Sequence, residues 1–141
     1  MDYDPDVWGP HYWFVLFTIA VTYPVIATEK DKKHYYNFIQ DFPMFLPGEP
    51  YSNKFAEMIN KYPVTPYLDS RESMIQWVHF IHNRFNVLLG KKAITLEDAL
   101  YEYNLNYRKP ASYYSDIRVN YNVIVTFIII AVCIASIKLY T

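Results

Sequence analysis

The sequence predicts an all-α protein, a four-to-five-helix bundle followed by one C-terminal transmembrane helix. Three observations carry that expectation. Residues 123–137 read VIVTFIIIAVCIASI without a charge. Prolines, glycines and Ser/Thr/Asp caps cut the rest of the chain into helix-length pieces. Met74, Trp77, Val78, Ile81, Phe85 and Leu88 recur at the spacing of one helix face. With 141 residues there is room for one domain of ordinary size, and 52% apolar residues with only three glycines argue against disorder.

Taken in order, Pro10 suits the first turn of a helix that runs to Tyr23 and is stopped by Pro24. Its run WFVLFTIAV is too short to span a bilayer and reads as core. Thr28 with Asp31 has the pattern of a capping box and opens a second helix through Tyr35 and Phe38 to Phe42. Pro43, Pro47, Gly48 and Pro50 then break the chain, and Ser52 is expected to cap a short third helix ending at Lys61. Asp69 with Glu72 opens the longest helix, which ends near Gly90, and Thr95 with Asp98 opens a fifth. Asp69 and Glu72 could pass for a catalytic carboxylate pair, but their spacing beside Ser70 fits helix capping. The expected organisation is a helical body over residues 1–107, a polar linker over 108–120 broken by Pro110, and an anchor over 121–141.

Extended from Tyr121 to Tyr140, the apolar segment covers 20 residues, about 30 Å of helix and the thickness of a hydrocarbon core. The two tyrosines sit where interfacial rings are expected, and Lys138 can snorkel to the far surface. Arg108, Lys109 and Arg118 precede the span and only Lys138 follows it, so the positive-inside bias places the N-terminal body on the cytosolic side of a single-pass tail anchor. The start, Met-Asp-Tyr-Asp-Pro, lacks the basic leader of a signal peptide.

Charge and cysteine content exclude several functions. A net charge of −1 gives no broad attraction to nucleic acid, and Lys91-Lys92 is too small a basic patch to supply one. No glycine-rich phosphate loop is present. One cysteine, Cys133, rules out an intrachain disulfide, a CxxC redox pair and a cysteine-based zinc site. His79 and His82 are only two candidate zinc ligands, with His11 and His34 far off in sequence, so no metal site is expected. Fifteen tyrosines and nine phenylalanines serve cores, interfaces and membrane boundaries alike.

On the long helix His79, His82, Asn83 and Asn86 fall at i, i+3, i+4 and i+7, opposite the apolar face. Such a stripe is ordinarily a solvated polar face. Imidazole and carboxamide in place of Lys and Glu also suit the edge of a heteroaromatic ring.

The elements WGPHYWFVLFTIAVTYP (Trp8–Pro24), FIQDFPMFLPGEPYSNKF (Phe38–Phe55) and WVHFIHNRFNVLLGK (Trp77–Lys91), in that order and spacing, resemble the Erv/ALR family of FAD-linked sulfhydryl oxidases over roughly residues 8–100. The resemblance implies a small helical bundle cradling FAD, usually as a homodimer. It matches Trp8, Gly9 and Trp13 to the first FAD-contacting helix and His82, Asn83 and Asn86 to the segment packed on the cofactor. Lys91 falls in the turn that follows, and Trp77 or Trp13 would be the aromatic wall a flat ring needs.

The chain departs from the family at the reactive pair. Gly48-Glu49-Pro50-Tyr51 stands where the family carries its catalytic CxxC, so Gly48 and Tyr51 occupy lost catalytic positions. Thiolate attack is the obligatory step of that chemistry, and neither residue has a sulfur. Phe17 also replaces the family's histidine in the first helix. The two losses imply that FAD is bound weakly or not at all. Degenerate versions of this fold with a membrane anchor resemble products of large DNA viruses, iridoviruses in particular. The implied role is a non-catalytic minor capsid or virion membrane protein joining the inner membrane to the shell. The alternative is an FAD-dependent sulfhydryl oxidase whose dithiol is supplied in trans. A tail-anchored adaptor outside the family is the third.

Overall fold

The computed structural model describes residues 3–108 and 111–140, with side chains over 3–108 and 121–138. Among these residues there are six α-helices and no strand: α1 Pro5–Val21, α2 Glu29–Asp41, α3 Glu49–Lys61, α4 Arg71–Leu88, α5 Leu96–Leu105 and α6 Ala111–Tyr140. They form two compact units, Met1–Tyr103 and Asn104–Thr141.

In the first unit, α1 opens five residues earlier than Pro10 suggested. The Asp4 carboxylate accepts from the Asp6 N–H at 2.8 Å, and Pro5 takes the first helical position, where its missing N–H costs nothing. Pro10 therefore lies inside the helix and removes one interior bond. α2 has its capping box. Thr28 Oγ1 accepts from Asp31 N–H at 3.2 Å, and the Asp31 carboxylate accepts from Thr28 N–H at 2.9 Å.

Between α2 and α3 the chain makes a 3₁₀ turn over Phe42–Phe45. Gly48, at φ +85°, is the cap residue of α3, a left-handed conformation that glycine adopts without a Cβ penalty. Ser52, expected as that cap, instead donates its hydroxyl to Pro43 O at 2.7 Å and ties α3 to the 3₁₀ turn. At α4 the cap is Ser70, accepting from Ser73 N–H at 3.1 Å. Asp69 is turned to Lys32 at 2.8 Å and links this corner to α2. Gly90, at φ +74°, follows α4, and Thr95 with Asp98 caps α5 through a 3.0 Å bond.

The core gathers Trp77, Tyr23, Phe55, Phe85, Ile39, Met74, Ile81, Val64 and Val78, and α1 packs chiefly against α4. Leu88, expected on the buried face of α4, is 39% exposed because the helix ends there. One buried polar contact closes the bundle. The Tyr23 hydroxyl donates to Leu68 O at 2.6 Å, and Arg71 Nε donates to Tyr23 O at 2.6 Å. The residue that leaves α1 thus holds the residues that enter α4.

In the second unit the helical backbone begins at Ala111 and runs through the segment read as a linker. Pro110, expected to break that linker, lies outside the described residues. Tyr121–Lys138 has mean hydropathy 2.1 and is long and apolar enough to cross a membrane. Its hydroxyls are satisfied within the helix, Thr126 donating to Asn122 O at 2.8 Å and Ser136 to Val132 O at 2.9 Å, as a lipid environment requires.

Tyr23→Phe leaves the Leu68 carbonyl buried without its donor. The expected cost is about 1–2 kcal/mol, read as a lower denaturant midpoint of tryptophan fluorescence for the full chain in mild detergent. An unchanged midpoint would show that this bond does not hold the corner.

Candidate functional site

The site is built where the first turns of α1 meet the start of α3 and the second half of α4. Spacing of four on α1 stacks Trp8 over Tyr12 and Trp13 over Phe17. Trp8 meets Tyr12 edge-on at 5.4 Å and Tyr51 at 5.6 Å. Tyr12 reaches Phe42 at 5.9 Å and fixes its hydroxyl on Phe45 O at 2.7 Å. Phe42 meets Phe55 at 5.5 Å, Phe55 meets Phe85 at 5.9 Å, and Trp13 touches both Phe55 and Phe85. From Tyr51 to Trp13 the rings form one unbroken network.

The polar stripe of α4 is not a solvated face. Asn83 clasps the loop before α5 by two bonds to the Ile94 backbone, its Nδ2 donating to O at 2.8 Å and its Oδ1 accepting from N–H at 2.9 Å. His79 Nε2 lies 2.9 Å from the same carbonyl. Asn86 is buried, and its backbone carbonyl accepts from Leu89 and Lys91 N–H at 3.0 and 2.8 Å. The stripe points inward because the loop after Gly90 folds back across it, which spacing along one helix does not reveal.

His82 sits against the ring network. Trp13 lies over it at 4.4 Å and Phe17 meets it edge-on at 5.8 Å. Its Nδ1 is buried without a hydrogen-bond partner among the described residues. Burial, with smaller contributions from His79 and Lys91, lowers its pKa to about 4.

Most of the residues singled out from sequence come together here. Trp8, Gly9, Trp13, His82 and Tyr51 share the region, and Lys91 is brought to the start of α1 by an ion pair with Asp6. Gly9 is buried in α1, yet a Cβ added there would meet nothing within 4 Å. Trp77 does not join. It is 1% exposed, donates Nε1 to Tyr62 O at 3.0 Å and has no ring contact with the network among the described residues. Tyr12, Phe42, Phe55 and Phe85 were not singled out. The four-residue spacing of Trp8 and Tyr12 and the apolar periodicity of α4 that includes Phe85 were the signals for them.

Could this region hold a flavin? The walls have the right character, but the cavity among these rings is small. The cavity enclosed by Trp8, Tyr12, Trp13, Leu16, Phe42, Leu46, Phe55 and Phe85 measures about 10 Å³, room for one water, whereas ligand pockets begin near about 300 Å³. The residues lining this cavity do not fit an isoalloxazine as they stand.

Because the folded pKa of His82 lies below its unfolded value, the unfolded chain binds the extra proton between about pH 6.5 and 4. Stability therefore falls as pH drops through that window, by at most about 3 kcal/mol. Thermal unfolding of wild type and His82→Gln across this range is the check. The variant is expected to show the shallower slope, and parallel slopes would remove His82 from the account.

The Erv1 / Alr family model matches residues 10–106. A mimivirus protein, "Probable FAD-linked sulfhydryl oxidase R368" of Acanthamoeba polyphaga mimivirus, is 37% identical over 112 residues, covering 77% of this chain and 78% of its own length. The mitochondrial FAD-linked sulfhydryl oxidase erv1 of Schizosaccharomyces pombe is 32% identical over 89 residues, which span 62% of this chain and about half, 49%, of that relative. Among solved structures, the FAD-binding domain of Erv1 from Saccharomyces cerevisiae superposes with a TM-score of 0.65 at 24% identity, covering 72% of this chain and 95% of that one. The yeast Erv1 core gives 0.64 at 23%, covering 73% and 86%, so these two matches speak to the fold alone. With its helices in the family's order and the family model spanning nearly the whole body, this chain belongs to the Erv1/Alr family.

Proposed function

We propose that this chain is a non-catalytic, membrane-anchored structural protein on a sulfhydryl-oxidase scaffold, with flavin binding weak or lost. The carrying observation is that the thiol pair of the redox relay is missing. A dithiol relay forms a mixed disulfide at one sulfur, closes a disulfide with the second and passes two electrons to the flavin. Gly48 and Tyr51 hold no sulfur, and the sole cysteine, Cys133, lies alone in the apolar helix. Next to Trp8, which Tyr51 touches, the cavity among the rings measures only about 10 Å³, small for a planar cofactor. Loss of the thiols alone would leave a flavoprotein with a broken input. Loss of the space as well supports a fold kept for its shape.

The apolar helix supports attachment to a membrane, and the body carries exposed tyrosines. Tyrosine gives contact area at low conformational cost, which suits repeated docking on neighbouring proteins. The mimivirus relative supports a place in a large virus, where such a protein would join the inner membrane of a virion to its shell. The body would face the capsid or the cytosol.

A second reading is an FAD-linked sulfhydryl oxidase that takes its dithiol in trans. The names of the relatives and the unpaired Nδ1 of His82, an atom that could meet a cofactor, favour it.

The full chain purified in detergent is expected to be colourless, to stay so with added FAD, and to consume no oxygen with dithiothreitol beyond a protein-free control. A yellow preparation that takes up oxygen once a CxxC-bearing partner is added would establish the second reading instead. The double variant Gly48→Cys, Tyr51→Cys separates the two losses. It is expected to remain inactive, because restored sulfurs still face a filled cavity. Oxygen uptake by that variant would show that the scaffold still loads flavin.

A further inference from the structure

Away from the ring network, α3 and α4 enclose a second cavity, about 300 Å³, lined by Lys54, Glu57, Met58, Lys61, Tyr62, Arg84, Val87 and Leu88. On α3 the lining follows the i, i+3, i+4, i+7 rule from Lys54 to Lys61, and on α4 the i, i+3, i+4 rule from Arg84 to Leu88. One face of each helix is therefore turned into a shared groove. Its floor is apolar. Val87 is 55% exposed and Leu88 39% exposed, large side chains at the water boundary with Met58 beneath them. Its rim is basic, with three cations against the one carboxylate of Glu57.

Among the described residues none of those cations lies within ion-pair distance of a carboxylate. Lys61 and Arg84 rest instead over the Tyr62 ring, at 5.4 and 5.7 Å from its centre. An exposed apolar floor under unneutralised cations is the arrangement a helix-binding groove presents to an amphipathic segment with acidic flanks.

We propose that this groove is a docking site for an acidic amphipathic segment of a partner protein. Apolar anchors of that segment lie on Met58, Val87 and Leu88, and its carboxylates meet Lys54, Lys61 and Arg84. The proposal rests on the docking role above and names its partner class. Nucleic acid is a poor match, because the Tyr62 ring that could stack on a base is already flanked by Phe80 edge-on at 5.0 Å and by the two cations. A flat anionic membrane is also a poor match, because the apolar floor lies inside a groove and Glu57 on its wall repels phosphate.

The test uses the full chain in neutral detergent micelles and a fluorescein-labelled peptide of about fifteen residues, long enough to be helical when held. The peptide carries glutamates flanking a leucine–tyrosine stripe, and a scrambled peptide of the same composition is the control. Fluorescence anisotropy is expected to show saturable binding of the patterned peptide. Lys54→Glu, Lys61→Glu, Arg84→Glu should weaken it at least about tenfold, the scale of one or two strong charge contacts. Reversing three exposed lysines elsewhere, Lys30, Lys33 and Lys92, should leave it unchanged. Leu88→Asp, at a half-exposed position, tests the floor without reversing a rim charge, and circular dichroism confirms that every variant keeps its helices.

Equal binding of the scrambled peptide, equal loss in both charge-reversal variants, or no saturable binding would each overturn the proposal. Phosphatidylserine vesicles bound at least as well as the peptide, and lost in the same groove variant, would assign the groove to lipid and overturn it too. Oxygen uptake with dithiothreitol is recorded on the same preparations. An inactive protein that ignores the peptide loses the groove and keeps the non-catalytic reading, whereas an active one loses that reading.

Discussion

A continuous contact between aromatic rings governs the body of this protein. Tyr51, Trp8, Tyr12, Phe42, Phe55, Phe85 and Trp13 pass from α3 through α1 and the 3₁₀ turn to α4, each ring within about 6 Å of the next. Every helix pair around the cavity is joined through that network, so the elements cannot separate without opening several ring contacts at once. Interiors packed this tightly respond to volume, and a space of about 10 Å³ leaves little to relax. Side chains from α1, α3, α4 and the 3₁₀ turn fill the middle of the network.

The backbone devices around this network set its geometry. Gly48 in the left-handed region turns the chain sharply into α3, and Ser52 pins the first turn of that helix to Pro43. Together they aim Tyr51 at Trp8. At the other end Tyr23, Leu68 and Arg71 lock the exit of α1 to the entry of α4, which fixes how the Trp13 face meets His82. Two rings cover His82, whose Nδ1 has no hydrogen-bond partner among the described residues, and its burial holds its pKa well below the ordinary histidine range.

The helical fold is that of the Erv1/Alr family. Gly48 and Tyr51 place no sulfur at the start of α3. What the chain does supply is an apolar helix long enough for a bilayer, and a body whose α3–α4 side pairs an apolar floor with unneutralised cations.

The all-α class, the order of helices, the capping boxes at Thr28 and Thr95 and the membrane-length helix were all legible in the residues. Each depends on interactions within a few positions along the chain: a cap oxygen reaching three residues on, a period of 3.6, or an unbroken apolar run. The missing sulfurs at Gly48 and Tyr51 were legible too, since the absence of an atom needs no fold to establish it. Local signals misled where a tertiary partner outbid them. Ser52 bonds Pro43, Asp69 pairs with Lys32, and the His79–Asn86 stripe turns inward to hold the Ile94 loop. The filled cavity, the isolation of Trp77 from it and the basic groove between α3 and α4 were decided only by the tertiary structure. Each is a relation of distance and volume between segments far apart in sequence, and side-chain spacing along one helix holds no information about what another helix brings against it.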